Sequence, residues 1–188
     1  MGRIEDLCER YQKHISIPWQ KTIAGAQRVI MVVYDKELER TLRARKTLFA
    51  TATQQVGHEW FEMDLSDVFS RWIAHDDYRE EFFKNPDDLQ IKLDAEFTQF
   101  IATEIRKNLL QRNTSSDSVA AIFGIGALLG FTRISKIIKM IEGDIKGRLV
   151  VFFPGQFEKN NYRLLDARDG WNYLAVPITL HNDGGLSL

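Results

Sequence analysis

The stretch Arg28-Val29-Ile30-Met31-Val32-Val33-Tyr34 (RVIMVVY, residues 28–34) decides the fold class. Its continuous β-branched and apolar character is typical of a strand that is buried on both faces, in a sheet covered by helices. A helix is expected on either side of it, over residues 3–16 and 36–56, because both segments repeat apolar residues at helical spacing. The stretch therefore predicts an α/β protein.

Working outward, three more strands are predicted, at residues 58–65, 118–125 and 148–153. The segments between them have helical periodicity or helix-capping residues, which predict, among others, a long helix from Asp87 or Asp88 to about Leu110 and a helix over 132–142. Strands that alternate with helices require crossover connections, which make neighbouring strands parallel. We expect a three-layer, mostly parallel sheet of about four strands flanked by helices.

The end of the sequence changes character. Residues 162–165 and 171–178 are β-rich and flank Asp169-Gly170, a dipeptide that favours a tight hairpin turn. The fold class therefore includes a C-terminal antiparallel β-hairpin. We expect residues 1–188 to form a single α/β domain, with 182–188 as a loose tail.

Composition excludes several classes of function. The 188 residues include 25 Lys and Arg against 26 Asp and Glu, which argues against a broad basic surface but not against a local patch. Direct binding of nucleic acid is not expected. The longest apolar run, residues 120–131, is about a dozen residues long and too short for a bilayer. With no signal peptide in the first residues and one cysteine, a cytoplasmic location is expected.

One loop is a candidate ligand site. Gly124, Gly126 and Gly130 follow the third predicted strand, and Arg133 stands where the next helix begins. The loop lacks the glycine spacing of a dinucleotide fingerprint and the Gly-Lys-Ser/Thr ending of a P-loop. Two interpretations stay open: a structural turn, or a nucleotide-binding loop in which Arg133 would contact an anion.

No other constellation indicates catalysis. The histidines are scattered, no nucleophile elbow is present, and neither a catalytic residue, a metal nor a cofactor is predicted. Helix caps are the interpretation of Asp35 and of the acidic pairs Asp64/Asp67, Asp76/Asp77 and Asp87/Asp88. Asp64 at a strand end could also hold Mg²⁺ or act as a base in an enzyme. Arg40, Arg43, Arg45 and Lys46 share a helix with Glu37 and Glu39, which favours a solvated face. The alternative is a weak nucleic-acid patch on this helix.

The aromatic content of 11% is the clearest excess. Near the C-terminus, aromatic, amide and charged side chains of the types that anchor protein interfaces are concentrated. The candidate partner-binding residues are Asn160, Asn161, Tyr162, Arg168, Asp169, Trp171 and Tyr173. The alternative is that these rings only cover the end of the sheet.

Three segments resemble the BrxB family, which supplies small components of BREX bacteriophage-exclusion systems. They are residues 150–155 (VVFFPG) with 160–173 (NNYRLLDARDGWNY), the turn 124–131 (GIGALLGF) leading to Arg133, and Pro18-Trp19 leading to 25–29 (GAQRV). The resemblance implies a role in anti-phage defence. It also implies partners among the other BREX proteins, chiefly the alkaline-phosphatase-like protein PglZ, and no catalytic motif. We therefore expect a non-enzymatic interaction subunit.

Overall fold

A computed structural model describes residues 2–167 and 170–180. Its strands are β1 (Val29–Tyr34), β2 (Glu59–Asp64), β3 (Ser118–Phe123), β4 (Arg148–Glu158), β5 (Asn161–Leu164) and β6 (Val176–Ile178). The sheet order is β2-β3-β4-β1-β6, and every neighbouring pair on this path is parallel. The predicted mostly parallel sheet is confirmed.

Helices cover both faces of the sheet. They are α1 (Arg3–Ile15), α2 (Glu39–Ala44), α3 (Thr47–Gln55), α4 (Val68–Ala74), α5 (Arg79–Lys84), α6 (Leu89–Lys92), α7 (Thr98–Gln111) and α8 (Ile134–Ile141). The connection from β1 to β2 crosses the sheet in the opposite direction to the later ones. Right-handed crossovers therefore place α2 and α3, with α1, on one face and α4 to α8 on the other.

Each face has its own hydrophobic core, and β1 contributes to both. Ile30, Val32 and Tyr34 pack with α1 and α3, whereas Val29, Met31 and Val33 pack with the cluster that contains α4, α7 and α8. All six residues of β1 are buried because successive side chains of a strand point to opposite faces. The three-layer arrangement follows from this double burial.

An antiparallel hairpin is present, and β5 corresponds to the first predicted strand, but β5 pairs mainly with β4 and meets the segment 171–178 at one bridge, Tyr162–Trp171. β5 pairs with β4 through a turn at Lys159-Asn160, where both residues have positive φ angles (48° and 64°). Residues 176–178 form β6, which is parallel to β1. Asp169 and the predicted tail over 182–188 lie outside the described residues. A strand was predicted to end at Phe153, yet β4 continues through Pro154-Gly155, which pair at the boundary of the parallel and antiparallel parts.

Two predicted helices are interrupted. The helix over 36–56 is divided at Arg45-Lys46 into α2 and α3, and the helix that ends near residue 110 contains a π-helical turn at Leu93–Phe97 between α6 and α7. Of the acidic residues interpreted as helix caps, Asp64 and Asp76 accept bonds from the backbone N–H groups of Ser66 (2.9 Å) and Tyr78 (2.8 Å), just before α4 and α5. The interpretation fails for three others. Asp35, Asp67 and Asp88 occupy N-cap positions without a side-chain capping bond. Asp35 instead pairs with Arg3 of α1.

Candidate functional site

One candidate site is an open groove of about 520 Å³ on the face covered by α4 to α8. We call it the Trp171 groove. One wall comes from the α6 region, the floor from the loop that enters α8, and the other wall from the end of β5. Its lining residues are Gln90, Asp94, Leu129, Gly130, Phe131, Thr132, Arg133, Ile134, Lys136, Leu164, Ala167 and Trp171.

Trp171 is held in the groove wall by backbone and ring contacts. It exchanges two backbone hydrogen bonds with Tyr162, of 2.8 and 3.0 Å. Its ring stacks on that of Tyr162 at 5.2 Å and meets the Phe153 ring edge-on at 5.6 Å. Since Trp171 is only partly buried, the rest of its indole is available to a ligand or partner.

The other predicted partner-binding residues are distributed unevenly. Asn160 and Asn161 are exposed at the β4–β5 turn. Tyr162 is fully buried, and Tyr173 is 9% exposed with its hydroxyl donating to Glu142 at 2.8 Å, so both are core residues and not surface anchors. This placement corrects their assignment to the contact surface. Arg168 and Asp169 lie outside the described residues.

The glycine loop is divided between two cavities. Gly130 and Arg133 line the Trp171 groove, whereas Gly124 and Gly126 line a smaller cavity at the carboxyl edge of the sheet. The amides of Ala127, Leu129 and Phe131 donate to carbonyls within the loop, at 3.0 to 3.2 Å. Because these donors are already used, the geometry favours the structural turn over a phosphate cradle of the P-loop kind.

Cationic groups border the Trp171 groove. Lys136 pairs with Asp94 across it at 3.5 Å. Arg133 is exposed at the N-cap of α8 and forms no ion pair with any residue that the structure describes. The positive end of the helix dipole does not stabilise the arginine charge either. Because the side chain is exposed and has no acidic partner among the described residues, its charge is available to an acidic group of another molecule.

The smaller cavity contains a polar network that sequence reasoning missed. Arg43 of α2 donates to Asp64 at the end of β2 (2.7 Å), to Ser66 (2.7 Å) and to Glu39 (2.7 Å). Burial raises the pKa of Asp64, but the bonds from Arg43 and Ser66 outweigh it and bring this pKa to about 2. Arg43 and Asp64 are brought together by the crossover from β1 to β2. No sequence motif has a spacing that would have predicted their contact.

The basic residues near α2 are mostly neutralised. Arg43 pairs with Asp64, Arg45 with Glu5, and Lys46 with Glu62, while Arg40 is exposed. Paired cations release few counterions from a nucleic acid, so this arrangement gives no support to a DNA-binding patch.

Metal and membrane sites were also sought. Within residues 2–167 and 170–180, no three His, Cys, Asp or Glu side chains form a cluster that could hold a metal ion. Among the same residues, every helix is too short or too polar to cross a lipid bilayer.

The fold and the groove define the class: a three-layer α/β protein with an open groove that is lined by both apolar and charged side chains. A family model described as BREX protein BrxB matches residues 61–178. The chain therefore belongs to the BrxB family, and it is a component of a BREX anti-phage system. The match begins within β2 and includes β3 to β6 and every residue of the Trp171 groove. Comparisons with curated proteins and with solved structures find no match.

Proposed function

We propose that this protein is a non-enzymatic scaffold subunit of a cytoplasmic BREX complex, and that it binds PglZ through the Trp171 groove. Membership of the BrxB family implies partners among the other BREX proteins. The observation that carries the proposed site is the convergence of Trp171 and Arg133 on one groove.

The composition of the groove supports docking of a protein. Trp and Arg are the residue types most enriched among interface anchors. Leu129 is 44% exposed at its border, which provides apolar area that a partner can cover. Arg133 adds a charge that an acidic side chain of PglZ would neutralise, because no described residue does so.

A nucleotide-binding subunit is the competing function. It would use Gly130 and Arg133 in the same groove, and Gly124 and Gly126 in the cavity beside it. The internal hydrogen bonds of the loop amides count against it. It predicts that ATP or GTP raises the melting temperature of the wild type and has no effect on Arg133→Glu.

Co-purification with PglZ from the same BREX system tests the docking proposal. We expect the wild type to retain PglZ, and Leu129→Glu and Arg133→Glu to lose most of it. Leu110→Glu is the matched control, since Leu110 is 76% exposed at the end of α7 and does not line the groove. Failure of the wild type to retain PglZ contradicts the partner, and equal retention by all variants contradicts the site.

A further inference from the structure

Arg148 is a buried cation in a position that the proposed docking function does not use. It is the first residue of β4, pairs in register with Val119 of β3, and is only 9% exposed. Arginine is almost never buried to this extent unless it is paired with an acid. Yet Arg148 forms no ion pair with any residue in 2–167 or 170–180.

The hydrogen bonding of the Arg148 guanidinium is incomplete. Its Nη1 donates to the carbonyl of the adjacent Gly147 at 3.2 Å. The Nε and Nη2 atoms have no acceptor among the described residues. They do not belong to the fully buried polar atoms that lack a hydrogen-bond partner, so both retain some contact with solvent. This Nε–Nη2 edge carries two parallel N–H donors, the arrangement that binds two oxygens of a carboxylate or phosphate.

Aromatic rings lie against the Arg148 guanidinium. Its central carbon lies 4.6 Å from the Trp19 ring centroid, in a cation–π contact. The His58 ring stacks on Trp19 at 3.6 Å and 12°. The Nδ1 atom of His58 is buried and has no hydrogen-bond partner among the described residues, a second unsatisfied polar group beside the same tryptophan.

The local charge is positive and uncompensated. Burial, and then the nearby Arg28, lower the pKa of Arg148. Burial and the charge of Arg148 lower the pKa of His14. Arg28 and Arg148 are thus two neighbouring cations, and neither forms an ion pair with a described residue. Burial of such a charge costs free energy unless an anion is supplied.

We propose that the Arg148 cluster, made of His14, Trp19, Arg28, His58 and Arg148, is a binding site for a small oxyanion. The Nε–Nη2 edge of Arg148 would hold two oxygens of a carboxylate or phosphate group. The stacked rings of Trp19 and His58 would fix the guanidinium plane. The site does not depend on the Trp171 groove, because the two have no residue in common.

Melting temperatures test the site directly. Sodium phosphate and sodium acetate are each compared with sodium chloride at equal ionic strength, which separates phosphate from carboxylate ligands. At about ten times Kd, the preferred anion should raise the melting temperature of the wild type by about 3 °C. Arg148→Met should lose this rise, whereas Arg40→Gln, which removes an exposed charge, should keep it.

A rise that Arg148→Met keeps would show a general salt effect and overturn the proposal, as would the absence of any rise in the wild type. A second measurement guards against failure of the variant to fold. In the ¹⁵N NMR spectrum of the wild type, the Trp19 indole N–H signal, identified by its loss in Trp19→Phe, should move saturably with the same anion. A signal that does not move contradicts the site.

Discussion

At the scale of single residues, Gly124 and Gly130 have the same backbone conformation but different surroundings. Both have φ of +81°. A Cβ at Gly124 would lie 2.5 Å from the Ser66 nitrogen and 2.6 Å from Asp64 Oδ1, whereas a Cβ at Gly130 would meet nothing within 4 Å. Substitution of the two glycines by alanine therefore compares the cost of backbone strain alone, at Gly130, with the cost of strain plus steric overlap, at Gly124.

Gly130→Ala should lower the free energy of unfolding by about 1 kcal/mol, the cost of a left-handed conformation for alanine. Gly124→Ala should lower it by about 3 kcal/mol, because the overlap with the β2–α4 connection is added to that strain. Chemical denaturation of the two variants measures the difference. Equal losses would show that the close approach at Gly124 is relieved at no cost.

Asp64 gives the carboxyl-edge network a pH dependence. Its pKa in the folded protein is about 2, below its ordinary value of 3.8. Since the folded pKa is the lower one, the ionised carboxylate contributes stability above pH 4, and this contribution is lost as the pH falls toward 2. Asp64→Asn should therefore be less stable than the wild type at pH 6, by a margin that narrows at low pH.

Thermal unfolding between pH 6 and pH 2 checks this prediction, with Asp87→Asn as the control. Asp87 is exposed and forms no ion pair in the part of the chain that the structure describes. Asp87→Asn should have the same melting temperature as the wild type at every pH between 6 and 2. If the difference in melting temperature between the wild type and Asp64→Asn does not change with pH, the stabilising role assigned to the Asp64 charge is contradicted.

Individual side chains also show where sequence reasoning stops. The aromatic and polar segment 160–173 was recognisable from its residue types, but burial of each ring depends on how β5 folds onto β4. Tyr162 alternates into the core and Asn161 alternates out of it. The ion pair of Arg43 with Asp64 depends on the crossover that brings α2 to the end of β2. The sequence around either residue therefore does not predict the pairing.

At the scale of elements, β4 is the centre of the sheet and belongs to both cores. Phe152 contacts three rings of the α1 and α3 face, those of Phe49, Trp60 and Phe123, at 4.9, 6.4 and 4.3 Å. Phe152→Ala should lower the free energy of unfolding by about 4 kcal/mol, because it leaves a cavity that these rings cannot fill.

Leu174→Ala is the control for that substitution. Leu174 is 83% exposed, and its truncation should change the stability by less than about 0.5 kcal/mol. Urea denaturation of the two variants makes the comparison. A loss below about 1 kcal/mol for Phe152→Ala would contradict the place of β4 in the core.

The elements were predictable where the pattern was local. The apolar run of β1 and the periodicity of α1 and α8 were sufficient to place them within one or two residues. Of the predicted hairpin around Asp169-Gly170, one antiparallel bridge is present among the described residues, between Tyr162 and Trp171. The turn through Lys159 and Asn160 was not predicted, because it places two non-glycine residues in positive-φ conformations. The division of the helix over 36–56 at Arg45-Lys46 was not apparent, because its apolar spacing continues across the break.

At the scale of the whole molecule, the two proposed sites serve different purposes. The Trp171 groove lies on the face of α4 to α8 and is open, with exposed apolar and cationic side chains that suit a protein partner. The Arg148 cluster lies at the first residue of β4, which is only 9% exposed, so the proposed ligand there is a small anion and not a protein. The near-equal totals of acidic and basic residues fit a protein that acts through other proteins, since most cations near α2 are paired internally.

Hydrogen–deuterium exchange of the protein, alone and with PglZ, tests the central claim most directly. We predict slower exchange on binding in residues 129–136 and 161–167, which form the floor and one wall of the Trp171 groove, and unchanged exchange in residues 47–55 of α3 on the opposite face. A stable complex in which residues 129–136 and 161–167 exchange as they do in the free protein would contradict docking through the groove.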